Sequence, residues 1–305
     1  MNNRFSEVQV EPQSTSYFSK PETELDPRIF IGERLRPWVR NSIQRILFDY
    51  LGKQYSSPNR WVSMWLAGSG VSYQWSAARD PGDLDCLVGV DYVTFRKYNT
   101  EYTGLSNDEI AHMLNKDFSS DIMPTTRNWE GYELTYYVNP QSNIKDINPY
   151  AAYNLLEDDW TVTPEKTPNV GFSRAWESKA ERDYETALEL VNRYSQILNE
   201  VQAATNPAYR LNAQRKLDDV VDQAAAFYES IHEGRKIAFS KIGAGYADFN
   251  NYRWQAGKQS GAIHALKAIK DYKDSSKEER DLDTYGIVLP DTNTLIRRAA
   301  TNRRP

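Results

Sequence analysis

The chain has 305 residues, 40% apolar and 26% charged, which suits one large domain or two modest ones with a sizeable core and speaks against wholesale disorder. A net charge of −5 and a pI near 5.4 argue against a generic nucleic-acid coat. A single cysteine, Cys86, excludes an intramolecular disulfide and a cysteine-based zinc knuckle, and the scattered His112, His232 and His264 speak against a multi-histidine metal site.

Residues 1–27 are rich in Pro, Ser, Thr and Glu without periodicity and read as a flexible arm, with no apolar stretch of the secretory-signal kind. From Gly32 to about Tyr55, Leu35, Trp38, Val39, Ile43, Ile46, Leu47 and Tyr50 recur at helical spacing. After Pro58-Asn59, Trp61 to Ala67 reads as a buried strand. A second strand, Asp83 to Val90, is entered through the turn Asp80-Pro81-Gly82. Ser106 caps a helix reaching about Asp117, and Gly131 to Val138 is a third strand. Residues 144–170 are broken by Pro149, Pro164 and Pro168.

The character changes near residue 171. Leu188, Val191, Tyr194, Ile197, Leu198 and Val201 form one helical stripe. Leu217, Val220, Val221, Ala224, Phe227, Tyr228 and Ile231 form another, and a third helix is expected over 250–272. The expected fold class is therefore α+β. A mixed sheet with helices over 28–170 precedes a helical bundle over 171–275, and residues 276–305 form a charged tail ending in Arg303-Arg304-Pro305. No apolar run approaches the roughly 20 residues that cross a bilayer, so a cytoplasmic protein without a membrane partner is expected.

The chemistry concentrates in residues 66–90. Strand side chains alternate faces, so Asp83 and Asp85 project together while Leu84 and Cys86 point into the core, where the thiol is inert. Two carboxylates about 7 Å apart on one face repel unless a cation lies between them. Oxygen-only ligation suits Mg²⁺, which shares substrate phosphates. Gly68-Ser69, directly after a strand, lets the backbone approach a phosphate, and a helix starting within Val71 to Ala78 would offer its N-terminal amides to an anion. Glu133, on the third strand, is the best third carboxylate; Glu130 and Asp146 are weaker alternatives.

The ordered set of Ala67-Gly68-Ser69, then Asp83-Leu84-Asp85-Cys86, then Glu133 before Leu134, resembles the DNA-polymerase-β-like nucleotidyltransferase superfamily. The gap over residues 70–82 is long for that pattern, and Gly82 stands where many relatives carry serine. The resemblance covers about 70 of the 305 residues, together with the general design of a helical domain after the catalytic one. It implies a nucleotidyltransferase fold and an Mg²⁺-dependent enzyme that moves a nucleoside monophosphate from an NTP such as ATP to a hydroxyl acceptor, releasing pyrophosphate. It further implies two Mg²⁺ ions, replaceable by Mn²⁺. One, on Asp83, Asp85 and Glu133, activates the acceptor; the other, on Asp83 and Asp85, neutralises the triphosphate, while Gly68 and Ser69 hold phosphates.

Arg79 stands where such proteins often carry a basic residue and is read either as a triphosphate contact or as a surface arginine. Lys258, beside the small-residue stripe Gly257, Gly261 and Ala265, is read either as a nucleotide-phosphate contact or as a solvated lysine. Tyr150, Tyr153 and Trp160 fit core packing better than base stacking. The acceptor is left open among an RNA 3′ end, a protein and a small molecule, and so is the oligomeric state. The competing class is a catalytically inactive, antitoxin-like binding or regulatory module that keeps the fold.

Overall fold

A computed structural model of the chain describes residues 8–13, 15–75, 82–140, 143–166 and 173–285. They fall into two compact units, one within residues 16–168 and one combining residues from 1–15 with residues from 169–289.

The first unit is mixed α/β. A short hairpin of β1 (Phe30–Ile31) and β2 (Arg34–Leu35) takes up the start of the expected first helix. The helix itself, α1 (Pro37–Gln54), begins at Pro37, whose missing N–H is not needed in a first turn. β3 (Val62–Ala67) pairs antiparallel with β4 (Gly82–Val90), and β4 pairs in parallel with β5 (Tyr132–Tyr137). A parallel pair needs a long crossover, and here it contains α2 (Tyr92–Tyr98), α3 (Asn107–Asp117) and α4 (Met123–Thr126). The start of α3 is fixed by the expected cap. Ser106 Oγ accepts from the Glu109 N–H, and the Glu109 carboxylate accepts from the Ser106 N–H.

Two further strands, β6 (Ala152–Asn154) and β7 (Asp159–Val162), complete a five-stranded sheet in the order β5-β4-β3-β6-β7. The sequence reading did not anticipate them, because strands of three and four residues are too short to show a period. Tyr153 is fully buried, and Trp160 stacks on Phe30 at 5.7 Å. These aromatics therefore pack the hairpin onto the end of the sheet.

Strand alternation gives the sheet two unlike faces. Leu84, Cys86 and Val88 of β4 bury with Met64, Leu66, Leu134 and Tyr136 against Val39, Ile43, Leu47 and Leu51 of α1. The opposite face carries a much smaller apolar cluster of Trp65, Leu87, Ile144 and Ala152. The polar side chains of β4 and β5 lie on this second face.

The second unit is helical: α5 (Arg174–Ala203), α6 (Pro207–Ala238), α7 (Phe249–Gln259) and α8 (Ala262–Tyr285). The two expected stripes meet in its core, as Val191, Tyr194, Leu198 and Val201 pack with Leu217, Val220, Val221, Ala224 and Ile231. Leu188 departs from its stripe and is exposed. The single helix expected over 250–272 is two helices, interrupted at Ser260-Gly261.

The interruption is tied to the N-terminal segment. Gly261 has φ +83°, and a Cβ there would fall 2.0 Å from the backbone oxygen of Glu11. Gln13 donates its N–H to the Gln259 carbonyl at 3.1 Å, and Val8 is buried in the bundle core. In the first unit, Leu25 and Asp26 are also buried. The flexible-arm reading of 1–27 therefore needs correction for its described residues, which find apolar and hydrogen-bonding partners that local periodicity cannot reveal. The tail boundary at 276 moves as well, since α8 continues to Tyr285; residues 286–305 lie outside the described residues.

Candidate active site

Asp83 and Glu133 are register partners across the parallel β4–β5 pair, and Asp85 is the partner of Thr135. Paired strands lie about 4.8 Å apart and alternate residues about 7 Å apart, so the three carboxylates and Thr135 form one patch on the less apolar face. All four are half-buried, while Leu84, Cys86, Leu134 and Tyr136 between and beside them are buried on the other side. Burial, reinforced by the neighbouring charge of Asp85, pushes the Cys86 thiol far up, which keeps it protonated and unreactive.

The Gly68-Ser69-Gly70 segment is held against this patch. Ala67, the last residue of β3, is the register partner of Asp85, so the chain leaves the strand beside the carboxylates. A Cβ at Gly68 would lie 3.1 Å from Asp85 Oδ2, and one at Gly70 would lie 2.2 Å from the Asp83 carbonyl oxygen. The backbone contact demands glycine at position 70, and the φ of +85° favours it at position 68. Ser69–Val71 makes one 3₁₀ turn, fixed by Ser72, whose N–H and hydroxyl both donate to the Ser69 carbonyl. Ser72 is extended at φ −133°, so the helix expected to start within Val71 to Ala78 does not begin at Val71. Arg79 lies outside the described residues.

Two supporting residues went unnoticed in the sequence. Thr135 Oγ1 donates to Asp85 Oδ1 at 3.0 Å and orients that carboxylate. Its position two residues after Glu133 on the same strand face was the available signal. The second is Asp26, 1% exposed, which takes a bidentate ion pair from Arg28 and a hydrogen bond of 2.6 Å from the Tyr132 hydroxyl. Burial pushes its carboxyl up, but the Arg28 and Tyr132 hydrogen bonds outweigh this and hold it below the usual aspartate range. Tyr132 is the register partner of Gly82 and directly precedes Glu133, so this buried network anchors the point where the acidic patch begins.

Of the alternative third carboxylates, Glu130 has φ +52° and is exposed in the two-residue turn between Trp129 and Tyr132. Asp146 is half-buried on a 3₁₀ turn whose Ile144 packs on Trp65 and Leu87 of the same sheet face. Lys258 belongs to the helical unit, half-buried in the last turn of α7.

The acidic patch offers oxygen donors alone, a set suited to Mg²⁺. Its three carboxylates share a face without closing into one tight group. Among the described residues, the one group of three His, Cys, Asp or Glu side chains whose ligating atoms all lie within 4.8 Å of one another is Glu229, His232 and Glu233, on α6. No family model, curated protein or solved structure matches the chain.

Proposed function

We propose that the protein is an Mg²⁺-dependent nucleotidyltransferase that moves a nucleoside monophosphate from an NTP to a hydroxyl acceptor. The observation carrying this reading is the close seating of the Gly68-Ser69-Gly70 turn on the strand that bears Asp83 and Asp85, with Glu133 in register beside Asp83. A solvated strand end would not require two glycines pressed against its acidic residues. A phosphate-binding turn next to a divalent-ion site would.

Asp83, Asp85 and Glu133 would hold the ions, which when bound neutralise triphosphate charge and lower the barrier to in-line displacement. The chain's own groups then divide the remaining work. Thr135 orients the Asp85 carboxylate through its hydroxyl. Ser69 would donate its hydroxyl and N–H to phosphate oxygens, and glycine on either side lets the backbone come close. In the transfer, the acceptor oxygen bonds to the α-phosphorus as the bond to the pyrophosphate oxygen breaks. Glu133, at the edge of the patch, takes up the proton that the acceptor loses.

The test is incubation of the full chain with Mg²⁺ and each α-labelled NTP, alone and with cell extract. Transfer of label to RNA, protein or a small molecule would identify the acceptor class, and Asp83→Asn should lower transfer by several orders of magnitude with the fold intact. Undiminished transfer in Asp83→Asn would overturn the reading. NTP binding without any transfer would favour the inactive binding module.

A further inference from the structure

We propose that Glu229, His232 and Glu233 form a second metal site, for a divalent ion of the Zn²⁺, Co²⁺ or Ni²⁺ kind, on the surface of the helical unit. The spacing Glu-Ser-Ile-His-Glu puts the three side chains at i, i+3 and i+4, on one face of α6. Their ligating atoms all lie within 4.8 Å of one another, with His232 Nδ1 3.7 Å from Glu229 Oε2. One imidazole with two carboxylates differs in kind from the all-oxygen patch on the sheet. Imidazole ligands favour Zn²⁺ and its neighbours, whereas carboxylate, carbonyl and water favour Mg²⁺.

The histidine is held ready for such a role. Its ring stacks on Tyr228 at 5.6 Å and lies 5.5 Å from the Trp254 ring, and both partners are themselves buried.

A separate observation concerns the neighbouring Trp254. Among the described residues, its indole N–H, on a side chain 7% exposed, is buried without an acceptor. A buried donor left unmet costs about 1–3 kcal/mol. Three protein ligands leave a coordination position for water, and a metal-bound water next to His232 is an acceptor of the required type.

The same carboxylates also take part in ion pairs. Lys236 lies 2.7 Å from Glu233, and Lys270 lies 3.8 Å from Glu229 but 2.9 Å from Asp274. A divalent ion would compete with these ammonium groups. Lys270 keeps Asp274 as its partner, and Lys236 is exposed and can return to water.

The experiment is a titration of the full-length protein with Co²⁺, followed by its visible absorption, and with Zn²⁺, followed by calorimetry and by Tm. With Mg²⁺ in large excess to occupy the acidic patch, the expected result is one Co²⁺ or Zn²⁺ per chain and a rise in Tm. Asp83→Asn should leave both unchanged, which separates this site from the acidic patch. His232→Gln and Glu233→Gln should each weaken binding at least tenfold and abolish the Tm rise, with metal-free Tm values close to that of the parent. Glu233→Gln, an exposed substitution, serves as the decisive variant if His232→Gln fails to fold. Absence of binding up to millimolar ion, or unchanged affinity in Glu233→Gln, would overturn the proposal.

Discussion

A side-chain carbon at Gly70 would lie 2.2 Å from the backbone oxygen of Asp83, so the turn after β3 and the first acidic residue of β4 are in direct contact. Because the clash is with backbone, no rotamer change can relieve it. Gly70→Ala should push the turn off β4, lowering Tm by several degrees, in keeping with about 1–3 kcal/mol for overpacking. NTP affinity should fall more steeply than stability. Calorimetric binding and a thermal melt on the same sample check both, and unchanged NTP affinity would separate the turn from the nucleotide.

Thr135 tests whether Asp85 has to be oriented. Thr135→Val keeps the β-branched shape but removes the donor to Asp85 Oδ1. Nucleotide transfer should drop by about 10–100-fold, the usual cost of losing such an outer partner, while Thr135→Ser retains most activity. Equal rates for the Val and Ser variants would show that the hydrogen bond is unimportant.

The Asp26 network makes a pH prediction with a definite sign. Its folded pKa is depressed, so its contribution to stability is fully present above the unfolded value of about 3.9 and is lost as pH falls through the lower folded value. Asp26→Asn should therefore destabilise by about 1–3 kcal/mol at neutral pH. The gap from the parent should stay constant from about pH 5 to 8 and narrow below about pH 4. Denaturant melts across that range measure it, and a gap that widens on acidification would contradict the assignment.

Gly261 gives a prediction for the helical unit. Gly261→Ala would collide with the Glu11 backbone and force a strained φ, so residues 8–13 should lose their seat. Limited proteolysis should then cut within that segment much faster than in the parent. Equal cleavage rates would mean that the segment is held elsewhere.

Much of the site's framework was legible because strand alternation is strict. Counting alone put Asp83 and Asp85 on one face of their strand and set Glu133 opposite Tyr132 and Leu134 on its own, and the β4–β5 register joins the two faces. What stayed hidden depended on long-range pairing. That Asp83 lies beside Glu133 and Asp85 beside Thr135 is a matter of register between strands 50 residues apart, which no local pattern encodes. Asp26 was hidden for the same reason, since its partner Tyr132 is 106 residues away. A helix does not begin at Val71 because Ser72 closes the turn with its hydroxyl, a local competition that hydrophobic periodicity does not register.

The seat that Gly261 provides for residues 8–13 has a consequence for synthesis on the ribosome. The helical unit takes its material from both sides of the sheet-bearing unit in sequence, so residues 16–168 form an insertion within it. The segment carrying Val8 leaves the ribosome long before Gly261, yet the surface that receives it is completed only after Gly261 has been made. At the usual elongation rates of about 5–20 residues per second, that delay lasts on the order of 10 seconds or more. Residues 16–168 are all available well before then and can form first. The segment with Val8 and Val10 meanwhile waits undocked, within reach of chaperones and proteases, and its docking becomes the closing step of the helical unit's assembly.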